Sequence, residues 1–130
     1  MSSSGCGAGQ CRRRAFSLGD PNCIFCKIVS GEAPADVVNR TDGFVAIEDI
    51  NPKADVHLLV LPERHIETFR DVSQLEPDEA KGLLDFVAET ARKAGLEEYR
   101  LMVFVGPSAG QTVFHLHVHV LGGQFRGMPA

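Results

Sequence analysis

The sequence predicts an α+β fold, in which a five-stranded antiparallel sheet carries one long and one short helix. Two patterns lead to this fold class. Five short stretches rich in Val, Ile, Leu and Phe are separated by turn-forming Gly, Pro, Asn and Asp. One longer stretch repeats apolar residues at every third or fourth position, which is the spacing of an amphipathic helix. We therefore expect a layer of helix against a layer of sheet.

The strands are predicted at residues 35–40, 44–48, 56–61, 100–105 and 113–121. Thr41-Asp42-Gly43 is a turn signal between the first two strands, which makes them a hairpin. Pro62 ends the third strand because proline cannot continue the ladder of hydrogen bonds. A short turn at 106–110 is expected to join the last two strands into a second antiparallel hairpin.

The long helix is predicted at residues 77–94. Pro77 suits its first turn, Gly95 suits its end, and the four residues 73–76 have the pattern of a capping box. A short helix is predicted between Asn22, as its N-cap, and Gly31, where it ends. The apolar stripe of the long helix consists of Ala80, Leu83, Leu84, Val87, Ala88 and Ala91.

Length and charge restrict the class of protein. The chain has 130 residues, which suits one domain, and its net charge of −4 gives no general attraction to nucleic acid or anionic membranes. No apolar run approaches the roughly 18 residues that a transmembrane helix needs. We therefore expect neither a nucleic-acid partner nor a membrane span.

The composition of the N-terminal region predicts a mobile tail at residues 1–19, which is followed by a single domain at 20–130. The tail is rich in Ser, Gly and Arg and buries too little apolar surface to fold. All four cysteines lie in the first fifth of the chain and no signal-peptide core is visible, which favours a reducing, cytoplasmic compartment. Acidic residues are absent before Asp20, so targeting of the tail to an organelle stays open.

Three of the five histidines alternate with apolar residues in one predicted strand, as His115, His117 and His119. Successive side chains of a strand point to opposite faces, so the three imidazoles share one face and the aliphatic residues share the other. A merely polar strand face needs no such concentration of histidine. The pattern favours either a metal site or a nucleophilic histidine with supporting imidazoles.

A loop of small residues precedes the histidine strand. Gly110 allows a close approach of the backbone to a ligand, and consecutive N–H groups can form a nest that binds an anion. Gln111 and Thr112 add side-chain donors. A glycine-containing turn is a weak signal alone, but beside three histidines it indicates a phosphate site.

Cys23 and Cys26 lie on the predicted short helix at a spacing that places both sulfurs on one face. Two thiolates and two imidazoles make a closed tetrahedral zinc site. A redox pair and buried free thiols are the other interpretations of this spacing. Cys6 and Cys11 lie in the predicted tail and receive no role.

The run from His115 to Leu121 resembles the His-φ-His-φ-His-φ-φ motif of the histidine-triad superfamily, where φ is an apolar residue. Further segments resemble its Hint-like branch in the same order, over roughly residues 20 to 123. They are Cys23-Ile24-Phe25-Cys26-Lys27-Ile28, Ile47-Glu48-Asp49-Ile50-Asn51-Pro52, the stretch 57–65 with Val60-Leu61-Pro62, Ala109-Gly110-Gln111-Thr112-Val113 and Gly122-Gly123.

This resemblance implies a nucleotide-phosphate hydrolase with the middle histidine, His117, as nucleophile. A neutral imidazole titrates near neutral pH and attacks phosphorus without a strong base. The implied reaction cleaves the P–N bond of nucleoside 5′-phosphoramidates, or related nucleotidyl adducts. It passes through a covalent nucleotidyl-His117 intermediate and releases a nucleoside monophosphate.

The resemblance also implies roles for the residues around the nucleophile. His119 binds a phosphate oxygen and helps to fix the ring of His117, and His57 lines the phosphate site. Gly110, Gln111 and Thr112 neutralise charge in the transition state, which is usually the largest catalytic contribution. Thr112 also assists the leaving amine.

The nucleoside end of the site and the assembly follow from the same resemblance. Asp49 is implied to hold the ribose hydroxyls, and Phe25, Ile47 and Ile50 to form an apolar slot for a purine base. Relatives form homodimers in which the two sheets join, so a homodimer is expected here, with the apolar helix stripe and the strand around Leu101 as its interface.

Some relatives with this pair of cysteines hold a structural zinc ion. The resemblance implies Cys23, Cys26, His65 and His115 as its ligands, and it implies no metal requirement for the chemistry.

Two features of the sequence depart from the Hint-like branch. Phe104 stands where relatives commonly have an asparagine that touches the nucleotide, and the C-terminal tail contains no tryptophan. Both concern the choice of substrate.

Two other functions stay open from the residues alone. A metal-dependent phosphohydrolase would use the triad as ligands, because two histidines spaced His-x-His on a strand are a zinc-binding arrangement. A non-catalytic nucleotide-binding or scaffold protein would keep the site without turnover. Sensitivity of turnover to chelators and binding of a monophosphate without turnover separate these functions from the first.

Overall fold

Five strands of the computed structural model form one antiparallel sheet. They are β1 (Val37–Thr41), β2 (Phe44–Glu48), β3 (Ala54–Pro62), β4 (Arg100–Met102) and β5 (Val118–Phe125). Their order across the sheet is β1-β2-β3-β5-β4, and every neighbouring pair is antiparallel. The structure describes residues 21–127, so the predicted tail at 1–19 lies outside the described residues. The α+β class and the five-stranded sheet are confirmed.

The two faces of the sheet bury different cores. Helix α2 (Pro77–Lys93) covers one face, where Leu83, Phe86 and Val87 pack against apolar residues of the sheet. Helix α1 (Ile24–Ser30) lies at the other face, and Phe25 packs there with residues of β2 and β3. The histidines lie on the α1 face, so the catalytic candidates are separated from the main core by the sheet itself.

Both helices begin at a different cap from the predicted one. Cys23, not Asn22, is the N-cap of α1, and its Sγ accepts a hydrogen bond from the Cys26 N–H at 3.4 Å. Glu76 is the N-cap of α2, and its N–H donates to the Glu79 carboxylate at 3.1 Å. The predicted capping box at 73–76 does not form, because Ser73 belongs to a 3-10 helix, Phe69–Gln74.

The connection between β4 and β5 differs most from the prediction of a short turn. The two strands are adjacent and antiparallel, but β4 ends at Met102 and β5 begins only at Val118. Residues 103–117 form a long connection that contains a short 3-10 helix, Pro107–Ala109. Before β5 the chain bonds elsewhere, since the Leu116 N–H donates to the Ile66 carbonyl at 2.6 Å. His115 and His117 therefore precede the strand, and only His119 lies in it.

The predicted alternation of faces nevertheless holds through this segment. Leu116, Val118 and Val120 belong to the core under α2. His115 and His117 contact Phe25 on the α1 face. The ends of β1 and β3 differ from the predicted ones by one or two residues, and those of β2 agree with the prediction. β5 continues to Phe125, beyond its predicted end at 121. Within the described residues, no helix has both the length and the apolar character to cross a bilayer.

Candidate active site

His117 is held in one tautomer by the backbone next to it. Its Nδ1 lies 2.7 Å from the carbonyl oxygen of His115. A carbonyl can only accept, so Nδ1 carries the proton and Nε2 carries the lone pair. The edge of the Phe25 ring packs at a centroid distance of 5.0 Å, nearly perpendicular to the imidazole. The imidazole is thus fixed in one tautomer, with its lone pair on Nε2.

Burial keeps the His117 imidazole neutral. Removal from water lowers its pKa, and the His115 carbonyl and the Asp49 carboxylate oppose that shift only in part. A neutral imidazole is the form that attacks phosphorus. The environment therefore favours the reactive protonation state at neutral pH.

His57 and His119 form a relay whose proton positions are set by a backbone amide. The Lys53 N–H donates to His57 Nδ1 at 2.9 Å, so a neutral His57 carries its proton on Nε2. That nitrogen lies 3.0 Å from Nδ1 of His119 and 3.3 Å from the Asp49 carboxylate. His119 Nδ1 accepts, and its own proton must then be on Nε2.

The Nε2 atom of His119 is buried and has no hydrogen-bond partner among the described residues. Such a buried donor is rare in folded proteins and indicates a site that a ligand completes. Burial lowers the pKa of His119 to about 3, and neighbouring His117 and His57 contribute to the shift. His119 is therefore a neutral N–H donor, suited to a phosphate oxygen.

Asp49 lies directly beside His57 in the candidate site. Asp49 follows β2 directly, and its Oδ1 accepts the N–H of Asn51 at 2.8 Å while Oδ2 faces His57. Burial lowers the pKa of His57, which the Asp49 carboxylate opposes and Lys53 reinforces. Asp49 is only partly buried, which leaves its carboxylate accessible from the site.

Two of the three residues predicted for the base slot lie together. Phe25 and Ile47 are buried in the same core cluster on the α1 face. Ile50 is 99% exposed in the connection between β2 and β3. The structure therefore brings Phe25 and Ile47 together, with Phe25 against His117, and leaves Ile50 in solvent.

Gln111 shapes the loop that precedes the triad. Its buried side-chain amide accepts the Gly106 N–H at 2.9 Å and donates to the carbonyls of Glu67 and Val113 at 2.8 and 3.0 Å. The amides of Gly110 and Gln111 donate within the loop, to Pro107 and Gly106. In this arrangement Gln111 holds the loop in place, and Thr112 is exposed at its end.

Four side chains form a second cluster beside His117. The Sγ atoms of Cys23 and Cys26 each lie 3.5 Å from His115 Nδ1, and Cys26 Sγ lies 3.2 Å from His65 Nδ1. All four potential ligand atoms lie within 4.8 Å of one another. These are the four residues that the family resemblance implied. Helix α1 and the connections that contain His65 and His115 bring them together.

The cluster has the dimensions of a tetrahedral zinc site. In a tetrahedral site, zinc bonds of about 2.3 Å to sulfur and 2.0–2.1 Å to nitrogen place a sulfur and a nitrogen ligand roughly 3.5 Å apart. The observed distances agree with that value. His115 Nε2 donates to the Pro62 carbonyl at 2.8 Å, which leaves Nδ1 as the lone pair that faces the sulfurs. Burial also lowers the pKa of His115, to about 4, which favours the neutral, ligating form.

The three triad histidines do not converge on one point. His115 belongs to the cysteine cluster, and His119 belongs to a separate group with Asp49 and His57. The Nδ1 of His117 bonds to a carbonyl oxygen. The structure thus gives each triad histidine a different environment. His115 lies in a metal-type cluster, His117 bonds to a backbone carbonyl, and His119 bonds to another histidine.

The family model of the HIT domain matches residues 30–126 of the chain. The chain belongs to the HIT family. It is 39% identical to an uncharacterized HIT-like protein of Helicobacter pylori (strain ATCC 700392 / 26695), over 77% of this chain and 95% of that one. It is also 39% identical to protein HitA of Neisseria gonorrhoeae, over 78% of this chain and 95% of that one.

Solved structures show the same similarity. A HIT family hydrolase from Legionella pneumophila Philadelphia 1 is 40% identical with a TM-score of 0.72, over 83% of this chain and 98% of that chain. A histidine triad nucleotide-binding protein from Candida albicans is 28% identical with a TM-score of 0.70, over 83% of each chain. The HIT fold and its association with hydrolases and nucleotide binding are thus shared by proteins similar to this one.

Some functional groups of this HIT protein had no signal in the sequence. The Lys53 amide and the carbonyls of His115 and Pro62 set the proton positions of three histidines. Every residue has such backbone groups, so residue type does not reveal them. Phe104 was noted only as a departure, whereas the structure places its ring 5.0 Å from that of His119.

Proposed function

We propose that this HIT protein hydrolyses the P–N bond of nucleoside 5′-phosphoramidates, or of related nucleotidyl adducts, through a nucleotidyl-His117 intermediate. The observation that carries the proposal is the bond between His117 Nδ1 and the His115 carbonyl, which leaves Nε2 as a lone pair in a buried, neutral ring. The similarity to HIT family hydrolases supports the reaction class.

In the first step, His117 Nε2 attacks phosphorus, a P–N(His) bond forms and the bond to the leaving amine breaks. The amine nitrogen takes up a proton from solvent, and the Thr112 hydroxyl assists its delivery. The N–H of His119 donates to a phosphoryl oxygen, where negative charge develops. Gly110 and Gln111 keep the loop in the shape that surrounds this oxygen.

In the second step, water attacks phosphorus and the P–N(His) bond breaks. The electron pair returns to His117 Nε2, and the water proton leaves to solvent, so that the nucleoside monophosphate and neutral His117 are formed. The sum is one amidate and one water converted into one amine and one monophosphate. Asp49 binds the ribose hydroxyls throughout, while Phe25 and Ile47, with Ile50 at the mouth, contact a purine base.

A structural zinc ion fits beside this chemistry. Cys23, Cys26, His65 and His115 would hold it, and the ion would supply a cross-link between α1 and the sheet. The same His115 whose side chain belongs to this cluster bonds through its carbonyl to His117. The cluster thus supports the position of the nucleophile.

A second copy of the chain is the proposed partner. β4 lies at the end of the sheet, and the exposed apolar side chains of Leu84, Tyr99 and Leu101 lie around it. They border an apolar groove of about 230 Å³ between α2 and β4. Contiguous apolar surface next to a free strand edge is typical of an interface, so we place a homodimer contact there.

The test is release of adenosine monophosphate from adenosine 5′-phosphoramidate. Wild-type protein should turn over, and His117→Ala should lose at least about 10³-fold in kcat, because it removes the attacking atom. Circular dichroism and thermal melting check that the variant is folded. Undiminished turnover by folded His117→Ala would show that another group attacks phosphorus.

Treatment with a chelator separates the rival functions in the same assay. Turnover that disappears on chelation while the protein stays folded, and returns with added metal, would identify a metal-dependent phosphohydrolase. Tight binding of the monophosphate without turnover of any amidate would identify a non-catalytic nucleotide-binding protein. The proposal predicts that any loss on chelation accompanies a loss of folded structure.

A further inference from the structure

Phe104 lies in direct contact with the phosphate-binding relay of the HIT site. Its ring centroid is 5.0 Å from that of His119, and the planes are tilted by 38°. The ring is only partly buried, so one part packs on His119 and another part remains accessible. The chain therefore presents an apolar, aromatic surface directly beside His119.

The order of the strands fixes the side of the site on which Phe104 lies. Asp49 follows β2, His57 lies on β3, His119 lies on β5, and Phe104 lies two residues after β4. This is the order of the sheet from β2 to β4. The four side chains form a continuous row. His57 Nε2 lies 3.3 Å from the Asp49 carboxylate and 3.0 Å from His119 Nδ1, and the His119 and Phe104 ring centroids are 5.0 Å apart. Asp49 and Phe104 therefore lie at opposite ends of the row.

The register places Phe104 on the catalytic face. Met102 pairs directly with His119, and directly paired residues of antiparallel strands point to the same face. Two residues further along, Phe104 points to that face again. The backbone of Gly110 supports the ring from the loop, because a Cβ on Gly110 would meet Phe104 at 3.4 Å.

We propose that Phe104 is a specificity-determining residue that forms an apolar wall on the leaving-group side and selects substrates with an aromatic leaving amine. The inference rests on the proposed function, which places the ribose at Asp49 and the phosphate between His117 and His119. The part of the substrate that remains is the amine, and it lies at the end of the row that Phe104 occupies. An aromatic amine packs on this ring, whereas a polar amine finds no hydrogen-bonding side chain from Phe104.

The experiment compares two amidates of adenosine monophosphate. One carries benzylamine and the other 2-methoxyethylamine, which have closely matched basicity and therefore similar intrinsic reactivity. We expect wild-type kcat/KM to be roughly tenfold higher for the benzyl amidate, the range for one aromatic contact in a pocket. Phe104→Asn should bring the ratio of the two values close to one, and Phe104→Leu should give an intermediate ratio.

Phe69→Asn is the matched control, because Phe69 is also partly exposed but lines the groove on the α2 side of the sheet. It should keep the wild-type ratio. A wild-type ratio close to one, or an unchanged ratio in Phe104→Asn, would overturn the inference while leaving the proposed function intact. The wild-type and Phe104→Leu ratios decide the matter if Phe104→Asn does not fold. No turnover of either amidate by wild type would instead refute the proposed function and the inference with it.

Discussion

His119 shows how a backbone group determines the chemistry of a side chain. The Lys53 N–H occupies His57 Nδ1, His57 donates to His119 Nδ1, and the remaining His119 N–H has no partner among the described residues. Because burial lowers its pKa to about 3, this imidazole is uncharged at neutral pH. It can stabilise developing charge on phosphate without retaining the product as tightly as a cation would.

A graded pair of substitutions tests this role of His119. His119→Ala removes the donor, and we expect kcat for the amidate to fall about 10²-fold, the usual effect of one lost transition-state donor. His119→Gln keeps an amide donor and should lose less. Steady-state kinetics separate kcat from KM. Equal losses in both variants, expressed mainly in KM, would mean that His119 contributes only to binding of the ground state.

Helix α1 depends on its surroundings for stability. It has 7 residues, fewer than an isolated helix needs to persist in water. The apolar cluster around Phe25 and the Cys/His cluster both fasten it to the sheet. Because α1 carries Phe25 against His117, the position of this helix affects the His117 ring as well as the fold.

Substitution of one proposed zinc-binding cysteine tests the metal site at helix α1. Wild-type protein purified with zinc should contain about one zinc ion per chain, and Cys26→Ser should contain far less, with a melting temperature lower by about 5 °C or more. Elemental analysis and thermal melting provide the two measurements. Cys11→Ser is the control, a cysteine outside the described residues, and should match wild type. Equal zinc content in Cys26→Ser and wild type would contradict the assignment.

The segment before β5 shows which part of an element the sequence could predict. The period-two pattern of residues 113–121 predicted the faces of Leu116, Val118 and His119 correctly. It did not predict where strand pairing begins, because side-chain burial alternates even where the backbone bonds elsewhere. The Leu116 N–H bonds to Ile66, and Gly106 and Gly110 have positive φ angles that interrupt β structure after β4.

The candidate site was predictable to the extent that side-chain type carries the information. The two cysteines alone left a zinc site, a redox pair and buried thiols open, and the family resemblance implied His65 and His115 as the other ligands of the cluster that the structure forms. Gln111 appeared from its residue type to be a ligand donor, but its amide bonds to backbone groups on three sides. Such contacts depend on the path of residues distant in the sequence, which local patterns do not contain.

At the scale of the whole molecule, the two edges of the sheet differ. β1 and β4 are both end strands, and Val37 and Leu101 have similar exposure, 46% and 50%. Only Leu101 borders the apolar groove beside α2. The proposed homodimer therefore uses the β4 edge and leaves the β1 edge free.

A charge at each edge tests this assembly. Leu101→Lys should shift the protein from dimer to monomer, because an unpaired ammonium would be buried in the contact. Val37→Lys places the same charge at a similarly exposed position on the other edge and should leave the mass unchanged. Sedimentation velocity measures both. A monomeric wild type, or dissociation by Val37→Lys alone, would refute the β4 interface.

Chemical capture of the intermediate tests the role of His117 most directly. Protein mixed with adenosine 5′-phosphoramidate is quenched in alkali, in which a phosphorus–nitrogen bond to histidine survives, and is then analysed by intact mass and peptide mapping. We predict a single added adenylyl group, located on His117 and absent from His117→Ala. Turnover with no adduct at any time point, or an adduct on another residue, would contradict a nucleophilic His117.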